Sequence, residues 1–167
     1  MIDVTGGIVL ELWDVLDQNG NKTGKTIRRG EPFNPGEYHL VVFAFLKNLK
    51  GEFLISKRAP TKMFPNHWEF PAGSALSGET SLEAIIRETK EEVGIDLNPE
   101  NGRLVKTLRH DPPWPQFADL WLFEQEINES QIVCDPEEVT EARFVKPDQI
   151  KDFVMIDKLV EYWEVVN

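Results

Sequence analysis

The sequence predicts a single α+β domain in which a sheet containing hairpins packs against helices. Three observations favour this fold class. Several short apolar segments are bounded by turn signals, two segments have the spacing of long amphipathic helices, and no repeat or low-complexity linker divides the 167 residues. A chain of this length usually forms one domain and can bury a substantial core. We therefore expect residues 1–167 to form one domain.

The first half of the chain is predicted to consist mainly of strands. An apolar run over residues 8–16 leads to the Asn-Gly pair at 19–20, which is a strong hairpin-turn signal. Residues 38–46 are almost continuously apolar or aromatic, as expected of a central strand that is buried on both faces. After the Lys-Gly pair at 50–51, residues 52–58 are predicted to return as its hairpin partner.

The second half alternates helices with strands. A helix is predicted over Ser81–Val93, where Thr80 and Glu83 form a capping-box pattern and Gly94 is placed to end the helix. The segment 111–116 contains three prolines, which remove backbone donors, so we expect an exposed loop there. The remaining predictions are strands at 102–108, 118–126 and 142–145 and helices at 147–153 and 156–166.

The charge balance restricts the classes of partner. A formal net charge of −11 argues against nucleic acid and against an anionic membrane surface as partners. A small anionic substrate is compatible with this charge if a metal ion supplies local positive charge. Cys134 is the only cysteine, and we find no signal peptide or membrane-length apolar segment, so we expect a cytoplasmic protein.

Three glutamates share one flank of the predicted helix over Ser81–Val93. Glu88, Glu91 and Glu92 are spaced i, i+3, i+4, and they repel one another unless a cation joins them. Grouped carboxylate oxygens on a rigid element are ligands that Mg²⁺ prefers. Arg87 is placed to pair with Glu91 or with Glu79. From the helix alone, an exposed charged face is the commoner interpretation.

The segment from Gly73 to Ile95, GSALSGETSLEAIIRETKEEVGI, resembles the Nudix box. The fixed positions of that motif correspond to Gly73, Glu79, Arg87, Glu88, Glu91, Glu92, Gly94 and Ile95. A chance match of this many fixed residues in register is on the order of one in a million. The sequence departs from the motif at Thr89, where the family has a larger hydrophobe, and Ala72 stands where glycine is more frequent. We expect the hydroxyl of Thr89 to bond back along the helix.

The resemblance implies an α/β/α sandwich with a mixed sheet and a catalytic loop-helix-loop. It implies a hydrolase that uses Mg²⁺ (or Mn²⁺) to cleave the diphosphate linkage of a small nucleoside-diphosphate-type or other phosphorylated metabolite. The implied metal ligands are Glu91, Glu92 and the carbonyl of Ala72, with Glu88 as a ligand or as the catalytic base. The implied supporting residues are Gly73, Glu79, Arg87 and Gly94.

Residues outside the motif are weaker candidates. The family often recruits a further acid from downstream, and we favour Glu138 over Glu141 and Asp119, although an exposed acidic turn is an equal interpretation. Lys57 and Arg58 end a strand shortly before the motif and could bind a phosphate. Trp114 could stack on a base, although an isolated Trp more often simply packs.

Two alternatives within the superfamily stay open. The segment 13–30 looks like the isopentenyl-diphosphate isomerase branch, but that branch uses a cysteine near the lead-in to the motif, and residues 65–73 contain none. A non-catalytic nucleotide-binding sensor of this fold tends to lose motif glutamates, and none is missing here. Many members of the family dimerise, so a homodimer is possible.

Overall fold

A computed structural model describes residues 10–153 and 155–167 of the chain. Nine strands and two α-helices are described in these residues. The strands are β1 (Leu12–Leu16), β2 (Lys22–Arg28), β3 (His39–Lys47), β4 (Phe53–Arg58), β5 (Trp68–Glu69), β6 (Ala72–Ser74), β7 (Gly102–His110), β8 (Gln116–Glu124) and β9 (Val139–Val145). The helices are α1 (Ser81–Val93) and α2 (Asp157–Val166), with 3₁₀ turns at Pro99–Asn101, Glu129–Gln131 and Pro147–Asp152.

Seven of the strands form one mixed sheet. Its strand order is β5-β4-β3-β8-β7, with β6 paired to β3 and β9 paired to β4. Strands β3 and β8 run parallel over their full length, and the other pairs in this sheet are antiparallel. Strands β1 and β2 form a separate antiparallel hairpin. The mixed sheet agrees with the expectation from the sequence.

The two faces of this sheet are covered by different helices. Along β3, Val42 and Ala44 pack in the core that contains the apolar residues of α1. The alternate residues Phe43 and Phe45 pack in the core that contains Tyr162 of α2. This division follows from the two-residue period of a strand. The predicted α/β/α sandwich is therefore confirmed.

The hairpin predicted between residues 38–46 and 52–58 is formed only at its turn. Strands β3 and β4 pair at Lys47 and Phe53, and farther along β3 pairs with β6 instead. Strand β6 therefore separates β3 from β4 beyond the turn. Since β6 contains Gly73 and is joined to α1 by the loop of residues 75–80, this arrangement holds the start of the motif segment against the centre of the sheet.

Three further expectations differ from the structure. The first strand begins at Leu12, and residues 8 and 9 lie outside the described part of the chain. The segment predicted as a helix at 147–153 forms a 3₁₀ helix of six residues instead, and so short a helix gains few hydrogen bonds. The Thr89 hydroxyl is buried but has no hydrogen-bond partner among the described residues, so the expected bond along the helix is not formed.

Candidate active site

Helix α1 is defined at both ends by its sequence. The side chain of Thr80 accepts a hydrogen bond from the Glu83 amide, and Glu83 reciprocates, which completes the predicted capping box. Gly94 ends the helix in the left-handed conformation with φ of 74°. An added Cβ at Gly94 would also lie 2.9 Å from Cβ of Val133, so glycine is required by space as well as by conformation.

Arg87 joins the acidic residues of the motif. Its Nε and one terminal nitrogen donate to the two carboxylate oxygens of Glu79, at 2.6 and 2.8 Å. Its other terminal nitrogen donates to Glu88 at 2.9 Å and to Glu91 at 3.2 Å. Hydrogen bonds to Glu79 raise the pKa of Arg87 further above its ordinary value. Both pairings considered for Arg87 are formed together, so this guanidinium fixes where three carboxylates lie.

The carboxylate of Glu88 occupies the space beside Gly73. A Cβ built on Gly73 would lie 2.0 Å from Cδ of Glu88. Burial raises the pKa of Glu88 to about 7, the ion pair with Arg87 opposes that rise, and the charges of Glu91 and Glu11 add to it. Glycine at position 73 of β6 therefore leaves room for the Glu88 carboxyl, whose pKa lies near neutral pH.

Glu92 is a buried carboxylate without a cationic partner among the described residues. Its side chain accepts a hydrogen bond of 3.2 Å from the backbone amide of Ala72. Burial raises its pKa well above the ordinary value, and the charges of Glu69, Glu88 and Glu138 add to this effect. Ala72, the residue expected to offer a carbonyl to a metal, thus lies in contact with one of the expected ligands.

Two ion pairs border this group of acids. Arg58 donates to both oxygens of the buried Glu69 carboxylate, at 2.9 and 2.7 Å. Lys62 pairs with Glu138. We define the acidic cluster as Glu69, Glu88, Glu92 and Glu138, whose charges act on one another.

The Lys57–Arg58 pair is divided between the two faces of the sheet. Arg58 reaches Glu69 in the acidic cluster. Lys57 instead lies over the indole ring of Trp68, which packs against the core on the α2 side. Successive side chains on a strand point to opposite faces, so both cannot reach one site. Of the two predicted phosphate ligands, the structure brings only Arg58 to the acidic cluster.

The three downstream acids have different surroundings. Glu138 belongs to the acidic cluster. Glu141 pairs with Arg143, whose guanidinium lies over the Trp68 ring. Asp119 is buried, rather than facing out of its strand, and accepts hydrogen bonds of 2.5 Å from Ser81 and from Thr107. It therefore links the first residue of α1 to the sheet.

Trp114 is half exposed on the loop between β7 and β8. Within the described residues, no hydrogen bond or ion pair joins its side chain to the acidic cluster. Its predicted role in stacking on a base stays a prediction.

Sequence reasoning missed two members of the site. Glu69 stands in the lead-in to the motif, and the signal for it was a charged residue within an apolar segment, Trp68 to Phe70. Lys62 belongs to a polar loop and has no comparable signal. Its position depends on a contact with Glu138, 76 residues away in sequence, which no local pattern reveals.

The residues present fit a hard divalent cation by their chemistry. Carboxylate oxygens dominate the cluster, and such oxygens suit Mg²⁺ and Mn²⁺. No cation in the part of the chain that the structure describes pairs with the buried Glu92, and an unpaired buried carboxylate is costly. In residues 10–153 and 155–167, however, no three acidic, histidine or cysteine side chains are arranged to hold one ion as they stand. The donor type therefore suits a hard cation, while Arg87 pairs with Glu88 and Glu91 in this structure.

Comparisons with known proteins agree with this geometry. The NUDIX domain model matches residues 37–163. An uncharacterised Nudix hydrolase of Listeria monocytogenes is 37% identical over 156 residues, which cover 92% of this chain and 90% of that protein. The chain belongs to the Nudix family, and this relative is named as a hydrolase.

Solved structures share the fold. DR0079 from Deinococcus radiodurans superposes with a TM-score of 0.73 at 23% identity, covering 92% of this chain and 98% of that one. A bifunctional NMN adenylyltransferase/ADP ribose pyrophosphatase from Francisella tularensis, complexed with AMP and a manganese ion, gives a TM-score of 0.68 at 21% identity. That match covers 81% of this chain and 42% of the other. Within the described residues, no helix has the length and apolarity that crossing a membrane would require.

Proposed function

We propose that this Nudix hydrolase uses Mg²⁺ or Mn²⁺ to cleave the diphosphate linkage of a small nucleoside-diphosphate-type or other phosphorylated metabolite. The observation that carries the proposal is the buried acidic cluster, in which Glu92 has no cationic partner among the described residues and Glu88 lies in the space left by Gly73. A carboxylate cluster of this kind is stabilised when a divalent cation binds. The manganese and AMP in the Francisella tularensis neighbour are consistent with it.

The roles of the residues follow from their positions. Glu91, Glu92 and the Ala72 carbonyl are the proposed metal ligands, with Glu88 as a further ligand or as the base. A bound cation would supply positive charge to phosphate oxygens and raise the acidity of water. In the metal-free protein burial raises the pKa of the Glu88 carboxyl to about 7, and Glu88 is the proposed acceptor of a proton from the attacking water. The water oxygen then bonds to phosphorus as the bridging P–O bond breaks.

The basic residues of the site would orient this reaction. Arg87 holds Glu88 and Glu91 and is itself held by Glu79, so Glu79 acts through Arg87. Arg58 is the proposed phosphate ligand on the sheet, and Glu138 is the proposed downstream acid. Lys57 and Trp114 keep their predicted substrate roles only if the substrate extends beyond the acidic cluster.

The partners and the location of the protein are proposals as well. A net charge of −11 favours a small substrate over nucleic acid or a membrane surface. The single cysteine favours a reducing, cytoplasmic compartment. A homodimer stays a prediction.

The test is hydrolysis of a panel of nucleoside diphosphates and triphosphates, nucleotide sugars, dinucleotides and prenyl diphosphates, followed by chromatography of the products, with Mg²⁺ or with EDTA. Wild type is compared with Glu91→Gln and with Glu161→Gln, which removes an exposed carboxylate from α2. We expect turnover that requires metal, that Glu91→Gln abolishes and that Glu161→Gln preserves. Turnover that persists in EDTA would contradict the proposal. Binding without turnover would favour the sensor, and rearrangement of isopentenyl diphosphate would favour the isomerase.

A further inference from the structure

Lys62 has fewer polar partners than the other basic side chains at the acidic cluster. Arg87 contacts three carboxylates and the carbonyl of Ser74. Arg58 contacts both oxygens of Glu69 and also the carbonyl of Met63. The only polar partner described for the Lys62 ammonium group is Glu138. Lysine carries three donors on a flexible stem, so it retains donors for another acceptor.

Backbone hydrogen bonds hold the loop that carries Lys62 next to Glu138. The Ala59 amide donates to the Glu138 carbonyl at 2.9 Å, and the Lys62 amide donates to the Ala59 carbonyl at 3.1 Å. These bonds keep Lys62 beside Glu138 independently of their side-chain ion pair. The ammonium group can therefore leave Glu138 without moving the loop that carries it.

The side chain of Lys62 turns inward from an exposed loop. Thr61 and the four residues 63–66 are exposed, whereas the Lys62 side chain is only 20% exposed and its charge acts on the buried Glu69. Glu138 is 38% exposed, so solvent and ligands can reach the pair. Such a pair of partly exposed charges is held weakly enough to be exchanged.

We propose that Lys62 is an exchangeable cation, which pairs with Glu138 while no divalent cation is bound and turns to a substrate phosphate once that cation binds Glu138. This inference rests on the proposed function. It makes Lys62 a substrate-binding residue that also competes with the metal. The two roles have opposite effects: removal of the ammonium group strengthens metal binding and weakens binding of the diphosphate.

The test measures the two affinities separately. Calorimetric titration with Mn²⁺ alone gives the metal affinity. Titration of the Mg²⁺-saturated protein with methylenediphosphonate, which contains carbon in place of the bridging oxygen and is not hydrolysed, gives the diphosphate affinity. For Lys62→Met we expect Mn²⁺ binding tighter by about two- to fivefold, the range of a partly exposed ion pair. We expect methylenediphosphonate binding weaker by about tenfold or more, as for a charge-assisted hydrogen bond.

Two further variants control these titrations. Lys62→Gln is measured in parallel, with circular dichroism of both variants to confirm folding. Lys47→Met removes a lysine from another partly exposed ion pair, with Glu124 at 3.6 Å, and should leave both affinities within about twofold of wild type. A purely structural lysine would lower both affinities together with the melting temperature.

The outcomes distinguish this inference from the proposed function. Weaker Mn²⁺ binding by the Lys62 variants, or unchanged binding of methylenediphosphonate, overturns the role of Lys62. If wild type binds Mn²⁺ and hydrolyses a diphosphate while the Lys62 variants match it in both titrations, only the inference fails. Wild-type protein that neither binds Mn²⁺ nor hydrolyses any compound of the panel overturns both.

Discussion

The contact between Gly73 and Glu88 shows how a single residue can determine the geometry of the site. Glu88 lies on α1 and Gly73 on β6, and the carboxylate fills the volume in which a side chain at position 73 would lie. The three atoms nearest to that volume belong to the end of the Glu88 side chain. A larger residue at position 73 would therefore displace the carboxylate before it disturbed the fold.

Gly73→Ala should lower activity much more than stability. The new methyl group excludes Glu88 from its place, and displacement of a catalytic group by about 1 Å can cost about 100-fold in rate. We expect kcat/KM to fall by about that factor while the melting temperature changes by only a few degrees. The measurements are steady-state kinetics on the best substrate of the panel and thermal unfolding.

Gly102→Ala is the matched control, because its Cβ would lie 2.4 Å from the buried ring of Phe123. It should lower the melting temperature while the activity of the folded fraction is preserved. If Gly73→Ala behaved like Gly102→Ala, the role given to the space beside Gly73 would be wrong.

At the scale of elements, the β1–β2 hairpin holds the loop that enters α1. Asp14 of β1 accepts hydrogen bonds from the Ser77 hydroxyl at 2.8 Å and from the Gly78 amide at 3.0 Å. Lys22 of β2 pairs with Asp14 at 2.7 Å. These bonds lower the pKa of Asp14, although burial opposes them. The hairpin thus supports the loop that carries Glu79, the partner of Arg87.

Asp14→Ala should therefore reduce both stability and activity. It removes a charged acceptor from two donors, and we expect the free energy of unfolding to fall by about 1–2 kcal/mol. Loss of such indirect support typically reduces metal affinity or activity by about 10- to 100-fold. The measurements are urea unfolding, with kcat and the apparent affinity for Mg²⁺. Glu37→Ala serves as the control, because it removes an ion pair with Lys25 and two hydrogen bonds from Asn34 in the loop before β3. Equal effects of the two variants on kcat would contradict the supporting role of Asp14.

The elements also show how far the sequence determines the site. Both ends of α1 could be predicted because the capping residues and Gly94 act locally, and the glutamates followed from helical periodicity. The displacement of β4 by β6 beside β3 could not be predicted, because strand pairing is decided by distant segments. Strand alternation alone predicts that Lys57 and Arg58 point to opposite faces of the sheet. Which of the two faces the site could not be predicted, because that depends on the face that α1 covers.

The whole molecule carries an excess of negative charge, and part of it is concentrated in the acidic cluster. Three of the cluster's carboxyls, those of Glu69, Glu88 and Glu92, have raised pKa values, and burial is the largest cause for each. A raised pKa means that the folded protein holds the proton more tightly than the unfolded chain does. Ionisation of these groups therefore opposes folding, and a bound cation would remove much of that penalty.

The metal-free protein should lose stability as pH rises from about 4.5 to about 7. In that window Glu88, with a folded pKa of about 7, is protonated when folded and ionised when unfolded. The contribution of Glu88 to stability is therefore largest below the unfolded pKa near 4.5 and stops falling above the folded pKa. The contribution of Glu88 is on the order of 3 kcal/mol, from 1.36 kcal/mol per pKa unit. Asp14 and Glu79 have lowered pKa values, so the stability that they contribute is lost as pH falls below about 4.5.

Mg²⁺ should reverse this dependence, because it binds the ionised carboxylates and not the protonated ones. The measurement is the melting temperature from pH 5 to pH 8, with 10 mM Mg²⁺ or with EDTA. We expect Mg²⁺ to stabilise the protein more at pH 7.5 than at pH 5. A ligand that binds only the folded state adds about 2.7 kcal/mol to the free energy of unfolding when its concentration is 100 times Kd. Glu88→Gln should flatten the profile in EDTA and stabilise the metal-free protein near neutral pH. Equal stabilisation by Mg²⁺ at both pH values, or an unaltered profile for Glu88→Gln, would show that the acidic cluster does not bind the cation as proposed.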